Sequence, residues 1–159
     1  MNIKELRIIY KPAFRVVGIP QDGKESTNNL DALWEKLAGR FSEIPQADPD
    51  QGFGVHTFSP DGHCYLAGLS AVKDGHLPEG MAELVIDPNA YVVFTHRGDL
   101  GALPTTIKAI FDTWLPESNY QHAEEFYFEY YDDHFQPGSS ESVIFIFVPV
   151  VELERAKKD

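Results

Sequence analysis

At 159 residues, with 43% hydrophobic and 24% charged side chains, the chain has the size and make-up of one globular domain. Its formal net charge of −12 excludes the basic face that nucleic-acid binding needs and favours cationic or neutral ligands over anions. Cys64 is the single cysteine, which excludes an intrachain disulfide and points to the cytoplasm, and no run reaches the roughly 20 apolar residues of a membrane span.

The N-terminus carries Lys4, Glu5 and Arg7 among its apolar residues, so it has no signal-peptide core. Leu6–Ile19 is predicted as one strand. Asn28–Phe41 is predicted as a helix, because Leu30, Leu33, Trp34 and Leu37 recur at helical spacing and Asn28 or Asn29 can cap it. Phe53–Phe58 and Tyr65–Val72 are predicted strands joined by a Pro60-Asp61-Gly62 turn. Ala82–Ile86 is a short connecting strand. Ala90–Arg97 is a strand, Pro104–Trp114 a helix, and Phe126–Tyr131 and Val143–Val150 two further strands. The basic cluster Arg155, Lys157 and Lys158 is expected to be a solvated tail.

The order strand, helix, strand, strand occurs twice, and one offset of 77 residues aligns the copies. Leu30, Leu33, Trp34 and Leu37 fall on Ile107, Ile110, Phe111 and Trp114. Phe14 and Val16 fall on Tyr91 and Val93; Leu66, Ala67, Leu69 and Ala71 fall on Val143, Ile144, Ile146 and Val148. The expected fold is α+β: a duplicated strand–helix–strand–strand unit with pseudo-two-fold symmetry. It has an antiparallel sheet with two helices on one face and a ligand groove on the other. Residues 1–159 are expected to form a single domain, with repeat 1 at about 1–80 and repeat 2 at about 81–155, as a monomer or weak dimer.

The second half carries an ordered set of motifs: Pro88-x-x-Tyr91-Val92-Val93-Phe94-x-His96-x-Gly98, a helix ending Trp114-Leu115-Pro116-x-Ser118-x-Tyr120, then Phe128-Glu129-Tyr130-Tyr131 and Phe147-Val148-Pro149-Val150. This set resembles the GyrI-like small-molecule-binding family, which shares its fold with effector-binding domains of AraC- and MerR-type regulators. The resemblance covers nearly the whole chain and is sharpest from Tyr91 to Tyr131. It implies binding of diverse, often aromatic or cationic, compounds, with Glu129 as the ligand-contacting acid. The sequence shows no helix-turn-helix module beside this domain, so direct DNA contact is not expected, although a protein partner could supply it.

Side chains alternate along a strand, so Tyr127, Glu129 and Tyr131 share one face and Phe126, Phe128 and Tyr130 the other. The Phe-rich set is expected under the helices and the Tyr-Glu-Tyr set in the groove. At the 77-residue offset, Glu129 and Tyr131 fall on Gly52 and Gly54, which predicts free volume opposite the carboxylate. A carboxylate among aromatic rings would be restored by a cationic ligand, with each tyrosine face adding about 0.5–2 kcal/mol of cation–π attraction. Tyr91, Phe53 and Trp114 complete the candidate lining, although apolar positions at these spacings also suit plain core packing. His96 suits a turn better than chemistry.

No histidine pair has metal-ligand spacing on a helix, no Gly-x-Ser-x-Gly elbow is present, and Gly52-Phe53-Gly54 lacks the third glycine of a dinucleotide loop. No metal or cofactor is therefore expected. The function expected first is non-catalytic binding of a small organic molecule, by sequestration or sensing. The alternatives are a hydrolase of reactive natural products that uses Glu129, and a protein-interaction module of the DNA-gyrase-inhibitor kind.

Overall fold

A proline divides the first predicted strand. β1 (Leu6–Lys11) and β2 (Phe14–Asp22) are separated by Pro12 and Ala13, because proline has no N–H for a ladder. The computed structural model describes residues 6–22, 30–60, 62–98, 100–136 and 139–153. Asn28, Asn29, Asp61 and the tail at Arg155, Lys157 and Lys158 lie outside the described residues. Next come α1 (Leu30–Ala38), β3 (Gly52–Ser59), β4 (Gly62–Ala71), β5 (Ala82–Ile86) and β6 (Asn89–Arg97). Helix α2 (Leu103–Ala109) continues through a π-helical stretch (Ile110–Trp114) into a last turn (Leu115–Glu117). Pro116 cannot donate to the carbonyl of Asp112, and the helix widens in the turn before it. β7 (Tyr120–His122), which the sequence pattern did not reveal, precedes β8 (Phe126–Tyr131) and β9 (Val143–Glu152).

The strands form an antiparallel sheet ordered β1-β6-β9-β8-β3-β4-β2-β5, with β7 added beside β9. Apart from β7, its pairing obeys the 77-residue offset. Leu6↔Phe94 maps onto Glu83↔Val17, and Gly52↔Leu69 maps onto Glu129↔Ile146. At the centre Gly52↔Tyr131 maps onto Glu129↔Gly54, which puts the pseudo-two-fold axis at Phe53↔Tyr130.

β1 and β2 are joined by two residues, yet they occupy the first and seventh places in the sheet. Six strand spacings of a flat sheet would span about 29 Å, whereas three extended residues reach about 11 Å. The sheet must therefore curl until its ends approach, and Lys11 Nζ duly lies 4.2 Å from the centre of the Phe14 ring. The curl encloses an apolar layer made only of strand residues: Val16, Phe53, Val55, Tyr91, Phe128 and Phe147 are at most 8% exposed. The helices cover the other face. Leu33 and Leu37 of α1 pack on Val17, Ala67 and Leu69, while Leu103 of α2 and Ile110 of its π-helical continuation pack on Val92, Phe94 and Ile146. Buried His96 makes a 2.7 Å hydrogen bond to Thr106, tying β6 to α2. Among the described residues no helix is long and apolar enough to cross a membrane.

The two strand faces of β8 are therefore reversed from the sequence expectation. Phe126, Phe128 and Tyr130 belong to the layer inside the curl, and Tyr127, Glu129 and Tyr131 face the helices. Alternation separates two faces but does not say which one a helix covers, and here both are buried.

Candidate functional site

β3 and β8 meet antiparallel at the centre of the sheet, and β4 lies on the far side of β3. This register places Gly54 beside Glu129, His56 beside Tyr127 and Tyr65, and Phe58 beside His63, all on the helix face. Glu129 is only 3% exposed. Its Oε2 lies 2.6 Å from His56 Nε2, and its Oε1 accepts a 2.8 Å hydrogen bond from the Tyr131 hydroxyl. His56 Nδ1 is in turn 3.0 Å from His63 Nε2. An ionised acid out of water needs partners of this kind, and both of its oxygens have one.

Aromatic rings enclose the carboxylate. The His56 ring stacks on Tyr127 with centres 4.5 Å apart and lies nearly parallel to the His63 ring, edge to edge, with centres 5.2 Å apart, and Phe58 stacks on His63 at 4.9 Å. Trp34 of α1 meets Tyr131 edge-on at 5.4 Å and donates a 3.0 Å hydrogen bond to the Tyr65 hydroxyl. Burial pushes the Tyr65 and Tyr131 phenols well above their ordinary range, and the Glu129 charge adds to the effect. Tyr127 is raised by the same two causes. The three phenols therefore stay neutral, and Tyr131 is the one that donates to the acid.

The two glycines do not leave open volume. A Cβ on Gly54 would collide with Tyr65 Oη and come within 3.1 Å of Glu129 Oε1, and one on Gly52 would lie 3.4 Å from the Trp34 ring. Their missing side chains admit Tyr65 and Trp34. The open space lies next door: a cleft of about 640 Å³ between the β3–β4 hairpin and α2, lined by Phe58, Ile107, Phe111, His122, Glu125 and Tyr127. Tyr127 is the shared wall, lining the cleft on one side and stacking on His56 on the other.

The other residues singled out in the sequence do not join this cluster. Tyr91 and Phe53 pack edge-on against Phe128, at 5.4 and 5.5 Å, inside the curl and across the sheet from Glu129. Trp114 sits in the π-helical stretch with Phe94 and Tyr120 as ring neighbours. Conversely, sequence reading missed His56, His63, Tyr65 and Trp34 as site residues. The Pro60-Asp61-Gly62 sequence between the two strands carried a usable signal. It sets His56 across from Tyr65 and Phe58 across from His63, and parity then puts both histidines on one face. Among the described residues, the one group with metal-ligand spacing is Asp132, Asp133 and His134. It is a turn at the end of β8 in which Asp132 accepts bonds from the His134 backbone and ring.

The chain is thus a duplicated antiparallel α+β domain with a buried acid beside its pseudo-two-fold axis and a helix over each half. The chain belongs to the GyrI-like small molecule binding domain family, whose sequence profile matches residues 4–151. The transcriptional regulator BrlR of Pseudomonas aeruginosa is 31% identical over 147 residues. That alignment takes in 91% of this chain and 54% of BrlR, so the chain spans about half the length of this relative. Among solved structures, SAV2435 bound to tetraphenylphosphonium matches over 96% of this chain and 98% of its own, with a TM-score of 0.73 and 16% identity. A hydrolase encoded by lin2189 of Listeria innocua shares the fold less closely, with a TM-score of 0.59, 11% identity and coverage of 93% of this chain and 92% of its own.

Proposed function

We propose that this domain, as a single unit of two matched halves, holds an aromatic cation in the cleft beside Tyr127, with Glu129 as its charge partner, and thereby sequesters or senses the compound. One observation carries this reading. A cleft of about 640 Å³ shares the Tyr127 wall with a carboxylate that is only 3% exposed. The volume lies in the range of small-molecule sites, and Phe58, Phe111 and Tyr127 offer flat faces to a ligand. A cation over such rings gains about 0.5–2 kcal/mol from each, and the acid supplies the long-range attraction. Glu125 at the mouth adds negative charge on the entry path. The ligand named for SAV2435 is of this chemical class, which supports the choice of probe.

The test is a thermal-shift panel of aromatic cations, tetraphenylphosphonium among them, on wild type and Glu129→Gln. Wild type should melt higher with ligand, and Glu129→Gln should bind about 30-fold more weakly, equivalent to about 2 kcal/mol of lost charge pairing. A broad panel with no shift in wild type would refute the reading.

A second reading, hydrolysis of a reactive electrophile, is favoured by the 2.6 Å contact between Glu129 and His56, since an acid held against an imidazole can activate water. It requires turnover that Glu129→Gln abolishes without loss of the fold. Intact electrophile after long incubation with wild type would exclude it.

A further inference from the structure

We propose that Glu129, His56 and His63 form a proton-exchange relay: a cation bound beside Glu129 displaces one proton, which leaves to solvent through His63. This rests on the reading above that the ligand is a cation held next to Glu129.

The geometry limits how many protons the relay can hold. Glu129 Oε2 and His56 Nε2 are 2.6 Å apart, so the imidazole N–H points at the carboxylate. His56 Nδ1 and His63 Nε2 are 3.0 Å apart, and a bond between two ring nitrogens contains one proton, with one nitrogen donating and the other accepting. Two protonated nitrogens would face each other at a repulsive distance. The chain of one carboxylate and two imidazoles therefore has two states. With both rings neutral it carries the single negative charge of Glu129. With one further proton, held on His63 Nδ1 or passed through the His–His bond to His56, it is neutral overall. A permanent cation is attracted to the first state and not to the second, so cation and proton compete for one buried charge.

The surroundings leave this exchange to the imidazoles. Tyr65 from β4 and Tyr127 and Tyr131 from β8 are phenols held neutral by burial, Trp34 from α1 is uncharged, and Phe111 from α2 brings no charge. His122 and Glu125 face the same region across the cleft. His63 is half-buried at the outer end, whereas the His56 side chain is 12% exposed and that of Glu129 4%, so the chain runs from interior to surface. Burial and the nearby His56 lower the pKa of His63, which suits the group that hands the proton to water.

The probe is tetraphenylphosphonium, which has no titratable group. Its Kd is measured by calorimetry from about pH 4.5 to 8.5, a range that reaches below the ordinary histidine value because the His63 pKa is lowered, in pairs of buffers with different ionisation enthalpies so that released protons are counted. The Kd should tighten about tenfold per pH unit on the acid side and level off above it, with about one proton released per cation at low pH and none at pH 8.5. In His56→Gln the pH dependence should flatten to less than about threefold across the range. Histidine ring nitrogen NMR on wild type needs no variant: at a pH where the relay is protonated, adding the cation should convert one imidazolium signal to neutral imidazole. Binding that is independent of pH and releases no proton, or imidazolium that persists with ligand bound, overturns the relay and leaves the cation site standing. Failure to bind at any pH overturns both.

Discussion

The two halves share one backbone plan and differ in what they hang on it. A shift of 77 residues superposes their ladders, yet Glu129 and Tyr131 fall on Gly52 and Gly54, Tyr65 falls on Ser142, and His56 falls on Asp133. Ser142 is fully buried and accepts a hydrogen bond from the Gln136 backbone, where Tyr65 instead reaches up to Trp34. Asp133 is exposed at the end of its strand, where His56 is held against an acid. The symmetric frame thus supplies two equivalent places beside the axis, and the side chains make one polar and fill the other with the Tyr65 and Trp34 rings of its own copy. A single charge can sit in the middle of a sheet because its counterpart is a hydrogen atom.

The sharpest way to break that asymmetry is to give the glycine side a side chain. Gly54→Val would drive into Tyr65 Oη and the Glu129 carboxylate and cost about 4 kcal/mol, combining overpacking with loss of a buried hydrogen bond. Chemical denaturation would show this as a lower midpoint with an unchanged slope. A midpoint within experimental error of wild type would mean that Tyr65 yields freely and that the close approach is incidental. A smaller effect is expected for Tyr131→Phe, which removes one of the two donors to Glu129 at a cost of about 2 kcal/mol. It should also weaken cation binding less than Glu129→Gln does, a ranking that titration calorimetry can check. The smallest effect is expected for Gly52→Ala. Its Cβ would meet the Trp34 ring at 3.4 Å, a contact that a slight ring shift relieves, so about 1 kcal/mol or less is expected in the same denaturation assay. If Gly52→Ala proved as costly as Gly54→Val, the two glycine positions would be equally crowded and Tyr65 would not be the tighter contact.

Much of the frame was legible in the residues themselves. Leu30, Leu33 and Leu37 announced α1, the strands of the second half fell close to their predicted limits, and the offset read from Leu66 and Val143 relates the ladder of β2 with β4 to that of β6 with β9. Glu129 stood out through the family resemblance carried by Phe128-Glu129-Tyr130-Tyr131, since its strand position alone suits an exposed residue equally well, and it is buried with both oxygens bonded. The side of the sheet on which it lies was not legible, because the curl buries the Phe-rich face without any helix, and a two-residue period looks the same either way. His56 and His63 were passed over because the search for paired histidines assumed helical spacing, whereas a hairpin brings residues seven apart into contact. β7 and the π-helical stretch were invisible for a different reason: each is a local adjustment around Pro116 and the end of β9, set by tertiary contacts rather than by pattern.

One feature of the sheet bears on how the site can move. β1 opens the first copy but pairs with β6 of the second, and β5 opens the second copy yet pairs with β2 of the first. The copies are thus clasped like two hands, each holding the other by its outermost finger. They cannot hinge apart at the axis without unzipping both outer ladders, so room for a ligand has to come from the covering helices and the ring stack above the acid, while the floor that carries Glu129 stays in place.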